Sequence, residues 1–223
     1  LRTSWTSPDE AYEAAVADLV TLMVSDPAVA THLEAWHTAT SRETRANVLG
    51  QKLVQLTMPG VPDVYQGNEH VDLSLVDPDN RRAVDYDDRG SRLARLDAGE
   101  APSDLSDEKL LVTSRALRLR RDETDVFIGR DTTYAGLFSS SSHLVAFGRG
   151  QGVRVEVVVL ATRLAGRLAD RGGWGDSTVE LPEGAWRDLL SDNEISGGTV
   201  LTADVLREAG LPVALLVRAG EQE

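Results

Sequence analysis

The 223-residue sequence has no cysteine, few aromatic residues (5%) and only two lysines, Lys52 and Lys109. Without thiols, a disulfide-stapled secreted scaffold, a thiolate metal site and thiol redox chemistry are all excluded, and a reducing cytoplasm is the expected setting. No window reaches the roughly 18 consecutive apolar residues that span a bilayer, and no basic-then-apolar leader opens the chain. The expectation is a soluble, unexported, cytoplasmic protein. Basic charge is also scarce, with a formal net charge of -13 and a pI near 4.7. Nucleic acid and anionic membrane each need a cationic face, so neither is expected as a partner. Arginine supplies nearly all the basic charge, and the rarity of lysine reads as composition, not mechanism.

What is present is globular: 41% hydrophobic and 26% charged residues over a length sufficient for one large or two small domains. Leu1 stands where a methionine would begin a gene product, and a helix signal follows almost at once, so the expectation is a piece of something longer. Ser7, Pro8 and Glu10 form a helix start with Ser7 as the cap. Tyr12, Val16, Leu19 and Met23 then make one apolar stripe, which Asp26 and Pro27 end. A second helix carries Val29, Leu33 and Trp36. After the polar stretch 38–42, a third places Leu49, Leu53 and Leu56 on one face and stops before Pro59 and Gly60. Trp5 and Trp36 are expected to pack between helices.

Val61 to Tyr65 is a short apolar run between glycines and reads as a buried strand. From Gln66 to about Ser103 no period persists, which predicts one very long loop of the kind that is functional when it is ordered. A helix resumes near Ser106. Beyond Val126 the pattern turns to short strands, at 134–138, 144–147, 153–160, 178–181, 200–201 and 213–217, separated by serine and glycine turns. Gly148, Gly150 and Gly152 read as a hairpin turn, since no lysine and no helix follows them as a phosphate loop requires. There is no internal repeat.

The long loop holds the densest chemistry. Asp77, Asp79, Asn80, Arg81 and Arg82 are followed by Asp85, and together they supply the acceptors and forked donors that bind vicinal sugar hydroxyls. The same residues also suit an ion pair and an Asx turn that do no more than order the loop, and spacing alone leaves both readings open. His32 and His37 lie five apart on a helix, on different faces, and so cannot share a metal. His70 sits beside Glu69 and is a weaker sugar contact. Trp174, in a glycine-rich turn, is either a packing residue or a sugar platform.

The strings TMPGVPDVYQGNE (57–69), DLSLVDPDNRR (72–82) and VDY (84–86) resemble the maltooligosyltrehalose synthase family of the α-amylase superfamily. TSWTSPDE (3–10), WRDLL (186–190) and LPVALL (211–216) resemble it too. The resemblance implies the C-terminal part of such a chain: an α/β portion, the end of a (β/α)8 barrel closed by strand 61–65, over residues 1–125. A small antiparallel β-sandwich, all-β, would follow over residues 126–223. It places the segment after strand 61–65 at the barrel's catalytic mouth. It assigns Asp77 and Arg81 to a glucose one unit beyond the reacting bond, with Asn80, Arg82, Tyr65 and Glu69 lining or bracing the site.

The implied activity converts the reducing-end α-1,4 bond of linear maltooligosaccharides into an α,α-1,1 bond by intramolecular transglycosylation. It uses no cofactor and no metal, and it works in a pathway with maltooligosyltrehalose trehalohydrolase. The family's nucleophile, acid/base and third carboxylate follow earlier barrel strands and fall before Leu1, so no catalytic residue is assigned within the chain. The alternatives are an amylase-type α-glucan hydrolase and a non-catalytic substrate-binding lobe.

Overall fold

Val157 to Ala161 are buried without a break, because the strand that carries them is covered on both faces. The computed structural model describes residues 2–73 and 83–219, and the chain divides into two compact units at Arg42 and Glu43.

The first unit holds α1 (Glu10–Ser25) and the start of α2 (Pro27–Thr57). Asp9, not the expected Ser7, caps α1, accepting from the Tyr12 N–H at 3.0 Å. Ser7 is engaged elsewhere, its main chain paired with that of Ser4 in a tight turn. Pro27 opens α2 as expected at a first helical position, where a missing N–H costs nothing. The expected break over 38–42 does not occur. The stretch has no glycine or proline, and the Thr40 and Ser41 hydroxyls donate to the carbonyls of Trp36 and Thr38 at 2.9 Å each, which satisfies them without interrupting the helix. The stripe on α1 forms but buries nothing. Trp5 is fully exposed and Trp36 is 66% exposed, so neither packs between helices; a period defines a face and does not supply what covers it.

From Glu43 onward the second half of α2 carries Leu49, Leu53 and Leu56, all fully buried, each worth about 2 kcal/mol relative to exposure. They meet α4 (Leu105–Asp122), α5 (Thr124–Phe127) and one face of a six-stranded antiparallel sheet. Its strands are β1 (Thr132–Gly136), β2 (Leu144–Gln151), β3 (Arg154–Thr162), β4 (Thr178–Asp188), β5 (Glu194–Leu201) and β6 (Val213–Arg218), in the order β1-β2-β3-β6-β4-β5. Short helices α6 (Ala165–Asp170) and α7 (Thr202–Val205) lie between strands in the sequence. The alternation within β3 assigns the two faces: Val157, Val159 and Ala161 join the helical layer, while Val158 and Leu160 join Val179, Leu181 and Trp186. The chain beyond β1 also meets the start of β4, through a Ser139–Val179 bridge and a Glu180 N–H donated to Phe138 O at 2.9 Å. Trp174 packs against this second core.

Gly148 and Gly150 lie inside β2, not in the expected turn, which is only Gly152 and Val153. The physical cause is close approach: a Cβ on Gly150 would stand 1.9 Å from Arg154 O, at a bulge in the β2–β3 register. Between them Arg149 is 2% exposed. It donates to the carbonyls of Thr133 and Thr57 at 3.1 Å each, and of Val126 and Phe127 at 3.4 and 3.3 Å.

The expected long loop is interrupted by a helix, α3 (Tyr86–Asp97). Asp85 caps it by accepting from the Asp88 N–H at 2.9 Å, and Leu93 and Leu96 pack on Leu110 and Leu111. Two leucines among charged residues are too sparse a stripe to read as a period. The segment 61–65 is extended as expected but is not a buried strand. Pro62 and Val64 are half-buried while Val61, Asp63 and Tyr65 are exposed, and it pairs with no strand among the described residues. Its pattern is the period-2 alternation of a strand with one face covered.

Candidate functional site

Two arginines from other elements hold the end of α2. Arg120 donates to Leu56 O at 2.9 Å and Arg149 to Thr57 O. Both guanidiniums lie over the Phe127 ring. The last turn of α2 has no basic residue of its own, so these cations satisfy its orphan carbonyls and face its negative pole. The chain leaving α2 therefore starts from a fixed point. It turns at Gly60, runs extended through 61–65, and turns again at Gly67, where φ is +83° and an added Cβ would lie 3.2 Å from Val84 Cγ2.

α3 and α4 then stitch down the segment 67–71. Arg89 donates to Gly67 O at 2.9 Å and stands 3.4 Å from Glu69 Oε2. Lys109 donates to His70 O at 2.7 Å, and the Val71 N–H donates to Ser106 Oγ at 3.2 Å. The His70 ring is 3.7 Å from Asp88. Burial, helped by Arg89 and Arg92, holds the ring's pKa below its usual value, against the pull of Asp88 and Asp104. Behind this segment Asp107, fully buried, accepts from Arg92 Nη1 at 2.9 Å, Arg95 Nη2 at 3.1 Å and the Ser103 hydroxyl at 2.6 Å. Burial alone would raise its pKa, but the Ser103 hydroxyl and N–H and the two guanidiniums hold it far below the usual carboxylate range.

A cleft of about 450 Å³ opens between α2, the extended segment and α4. Gln51, Lys52 and Gln55 enter from α2, Asp63, Tyr65 and Asn68 from the segment, and Lys109 from α4, with Val48 and Val64 as the apolar part. Both lysines of the sequence thus line one cleft. Lys52 is 7% exposed and donates to Gln55 Oε1 at 2.9 Å; Gln55 in turn donates to Asp63 O at 2.6 Å. Burial lowers the Lys52 pKa, with Glu69 opposing. Burial and then repulsion from Lys52 bring Lys109 down to about 8, against Asp72 and Glu69. Ammonium, amide and phenol donors beside a carboxylate suit a polar or anionic ligand group.

Of the expected site residues, Tyr65 lines this cleft and Glu69 sits beside it, tied to Arg89. Asp77, Asn80, Arg81 and Arg82 lie outside the described residues. His32 and His37 are exposed, and among the described residues no group of three or more His, Asp or Glu could hold a metal ion. No single helix among them is long and apolar enough to cross a membrane. Lys52, Lys109, Gln51, Gln55 and Asn68 escaped the sequence reading; the one signal for the lysines was their rarity.

No family model matches the chain. A Mycobacterium tuberculosis protein named as a maltooligosyl trehalose synthase is 40% identical over 219 residues, which is 97% of this chain and 26% of that protein. The solved maltooligosyltrehalose synthase from Arthrobacter ramosus superposes with a TM-score of 0.86 at 41% identity, over 98% of this chain and 28% of that one. A solved structure titled DSM5389 glycosyltrehalose synthase shares the fold, with a TM-score of 0.75 at 24% identity over 98% of this chain and 27% of that one. The chain spans about a quarter of the length of the relatives it matches, and along nearly all of its own length it is similar to maltooligosyltrehalose synthase.

Proposed function

We propose that this chain is part of a maltooligosyltrehalose synthase. The complete protein converts the reducing-end α-1,4 bond of linear maltooligosaccharides to an α,α-1,1 bond by intramolecular transglycosylation. The observation that carries the reading is 40% identity over 97% of the chain. On this reading the extended segment 61–65 is the last strand of a (β/α)8 barrel within residues 1–125, with its one covered face turned to α2 and α4. Residues 126–223 form a terminal β-sandwich, a reading supported by the two cores on opposite faces of β3 and by the Ser139–Val179 closure. The catalytic carboxylates lie outside this chain, in the three quarters of such a protein that it does not span.

The chain's own contribution is to bind and orient substrate. On this reading Asp77 and Arg81 grip a glucose unit, and Asn80, Arg82, Tyr65 and Glu69 line or brace the site. Transfer breaks the bond from the glycosyl C1 to O4 of the terminal glucose and forms one from C1 to the anomeric oxygen of that same glucose, so water must be kept out while it turns. The setting is cytoplasmic, in sequence with a trehalohydrolase that consumes the product. Incubating the complete gene product with a linear maltooligosaccharide tests this: reducing ends disappear under the synthase reading and multiply under hydrolysis. A non-catalytic substrate-binding lobe is the second reading, and for the 223 residues by themselves both readings predict no turnover.

A further inference from the structure

Tyr134 and Phe138 are 54% and 67% exposed, in a sequence with few aromatic residues to leave in solvent. Burial alternates through β1 and just beyond it. Tyr134, Gly136 and Phe138 are exposed, while Ala135 and Leu137 are half-buried, Leu137 against the second core. The two rings therefore share one face, four residues and about 13 Å apart along extended chain. Gly136 lies between them as a shelf without a side chain, where an added Cβ would meet nothing within 4 Å. The Tyr134 ring is backed from within by Phe147, at 5.2 Å between centroids, and Phe147 is itself buried in the helical-layer core.

The main chain beside the rings is only partly used. β1 is an edge of the sheet. Leu137 donates to Ala146 O at 3.0 Å, so the odd-numbered residues bond toward β2, and the N–H and C=O groups of Tyr134 and Gly136 point outward. Phe138 O, next in line, already accepts from the Glu180 N–H at 2.9 Å. The open edge thus ends within the five residues of β1, a short stretch for an added strand. The charged neighbour on this face is Arg149, opposite Tyr134 in the register. It is buried and committed to carbonyls, so it offers nothing to an anion.

Two ring faces with outward amide and carbonyl groups between them suit a neutral ligand that alternates apolar C–H faces with hydroxyl rims, which is the chemistry of a sugar chain. The rings stand too far apart for one sugar to touch both, so the ligand is an oligomer. We infer that Tyr134, Gly136 and Phe138 form a binding surface for a chain of α-linked glucose units, in addition to the residues proposed above to grip a glucose. The identity of the sugar rests on the proposed function.

The test uses the complete protein and needs no turnover. Tetranitromethane nitrates accessible tyrosines, and peptide mapping reads Tyr134 by itself. Tyr134 is expected to be nitrated in the free protein and protected by glycogen. A Tyr134 that resists nitration without glycogen is covered by other parts of the protein, and one nitrated equally with and without it holds no glucan; either result overturns the inference. Native electrophoresis in a glycogen-containing gel gives a second readout. The parent is retarded, Tyr134→Ala and Phe138→Ala each weaken the retention about fivefold, and Tyr134→Trp keeps it. Equal retention of the parent and both alanine variants overturns the inference. Turnover of maltohexaose is unchanged in these variants, and the product it gives reports on the synthase reading separately.

Discussion

Arg149 donates to the main-chain oxygen of Thr57 at 3.1 Å across 92 positions of sequence. One side chain thereby ties β2 to the end of α2 and, through Val126 and Phe127, to α5. Arg149→Ala leaves four carbonyls, three of them buried, without this donor and is expected to destabilise the chain by about 3 kcal/mol. Arg149→Lys recovers only part of this, since a single ammonium cannot match a planar fork. Urea unfolding of the three proteins measures both effects, and a fully stable lysine variant would contradict the account.

Asp107→Asn tests the clamp between α3 and α4. The native carboxyl titrates below its unfolded value, so its contribution is present above about pH 4 and fades as pH falls further. The variant should be less stable than the parent by about 3 kcal/mol at pH 7, with the gap narrowing in acid. A gap that does not change with pH would mean that the carboxylate's charge is not what matters.

His70 gives a different acid response. Its folded pKa lies below the ordinary value, so below about pH 6.5 the unfolded chain takes up a proton that the folded chain resists, and stability falls as pH decreases. His70→Gln should flatten the stability profile between pH 7 and pH 5. Unfolding curves at the two pH values check it, and an unchanged slope would refute it.

Lys109 should titrate near pH 8. Between that value and its ordinary pKa the folded amine is neutral while the unfolded one is charged, so stability rises with pH across that window. With only two lysines in the chain, carbon-13 labelling of their side chains resolves both titrations. A Lys109 midpoint near 10.5 would contradict the burial that α2 and α4 impose.

How much of this was legible in the sequence depends on what kind of cause fixes each part. The end of α2 at Pro59, the Asp26–Pro27 break and all six strands follow from local chemistry, and the structure has them. The cap moved from Ser7 to Asp9 because Ser4 engages Ser7. α3 stayed hidden because Asp88, Arg92 and Asp104 hold it by ion pairs as much as by its two leucines. The single helix through 38–42, and the glycines buried inside β2, were misread because polarity and glycine were taken as breaks where backbone bonds were satisfied or space was short. The lysine cleft needed three elements, distant in sequence, to be brought together. Tyr65 and Glu69 drew attention in the sequence because they sit within a single motif.

On the proposed function, Asp77→Ala and Arg81→Ala in the complete protein should each weaken use of maltooligosaccharides by roughly tenfold or more while leaving the thermal transition in place, since each would remove a charged hydrogen-bonding partner of the sugar. Steady-state kinetics on a linear oligosaccharide series tests it. Parental kinetics in both variants would remove these residues from the site.

The most direct measurement is proton NMR of the product formed when the complete gene product acts on maltohexaose. The account predicts a non-reducing oligosaccharide of unchanged mass carrying a new α,α-1,1 linkage. Shorter sugars with new reducing ends would contradict it.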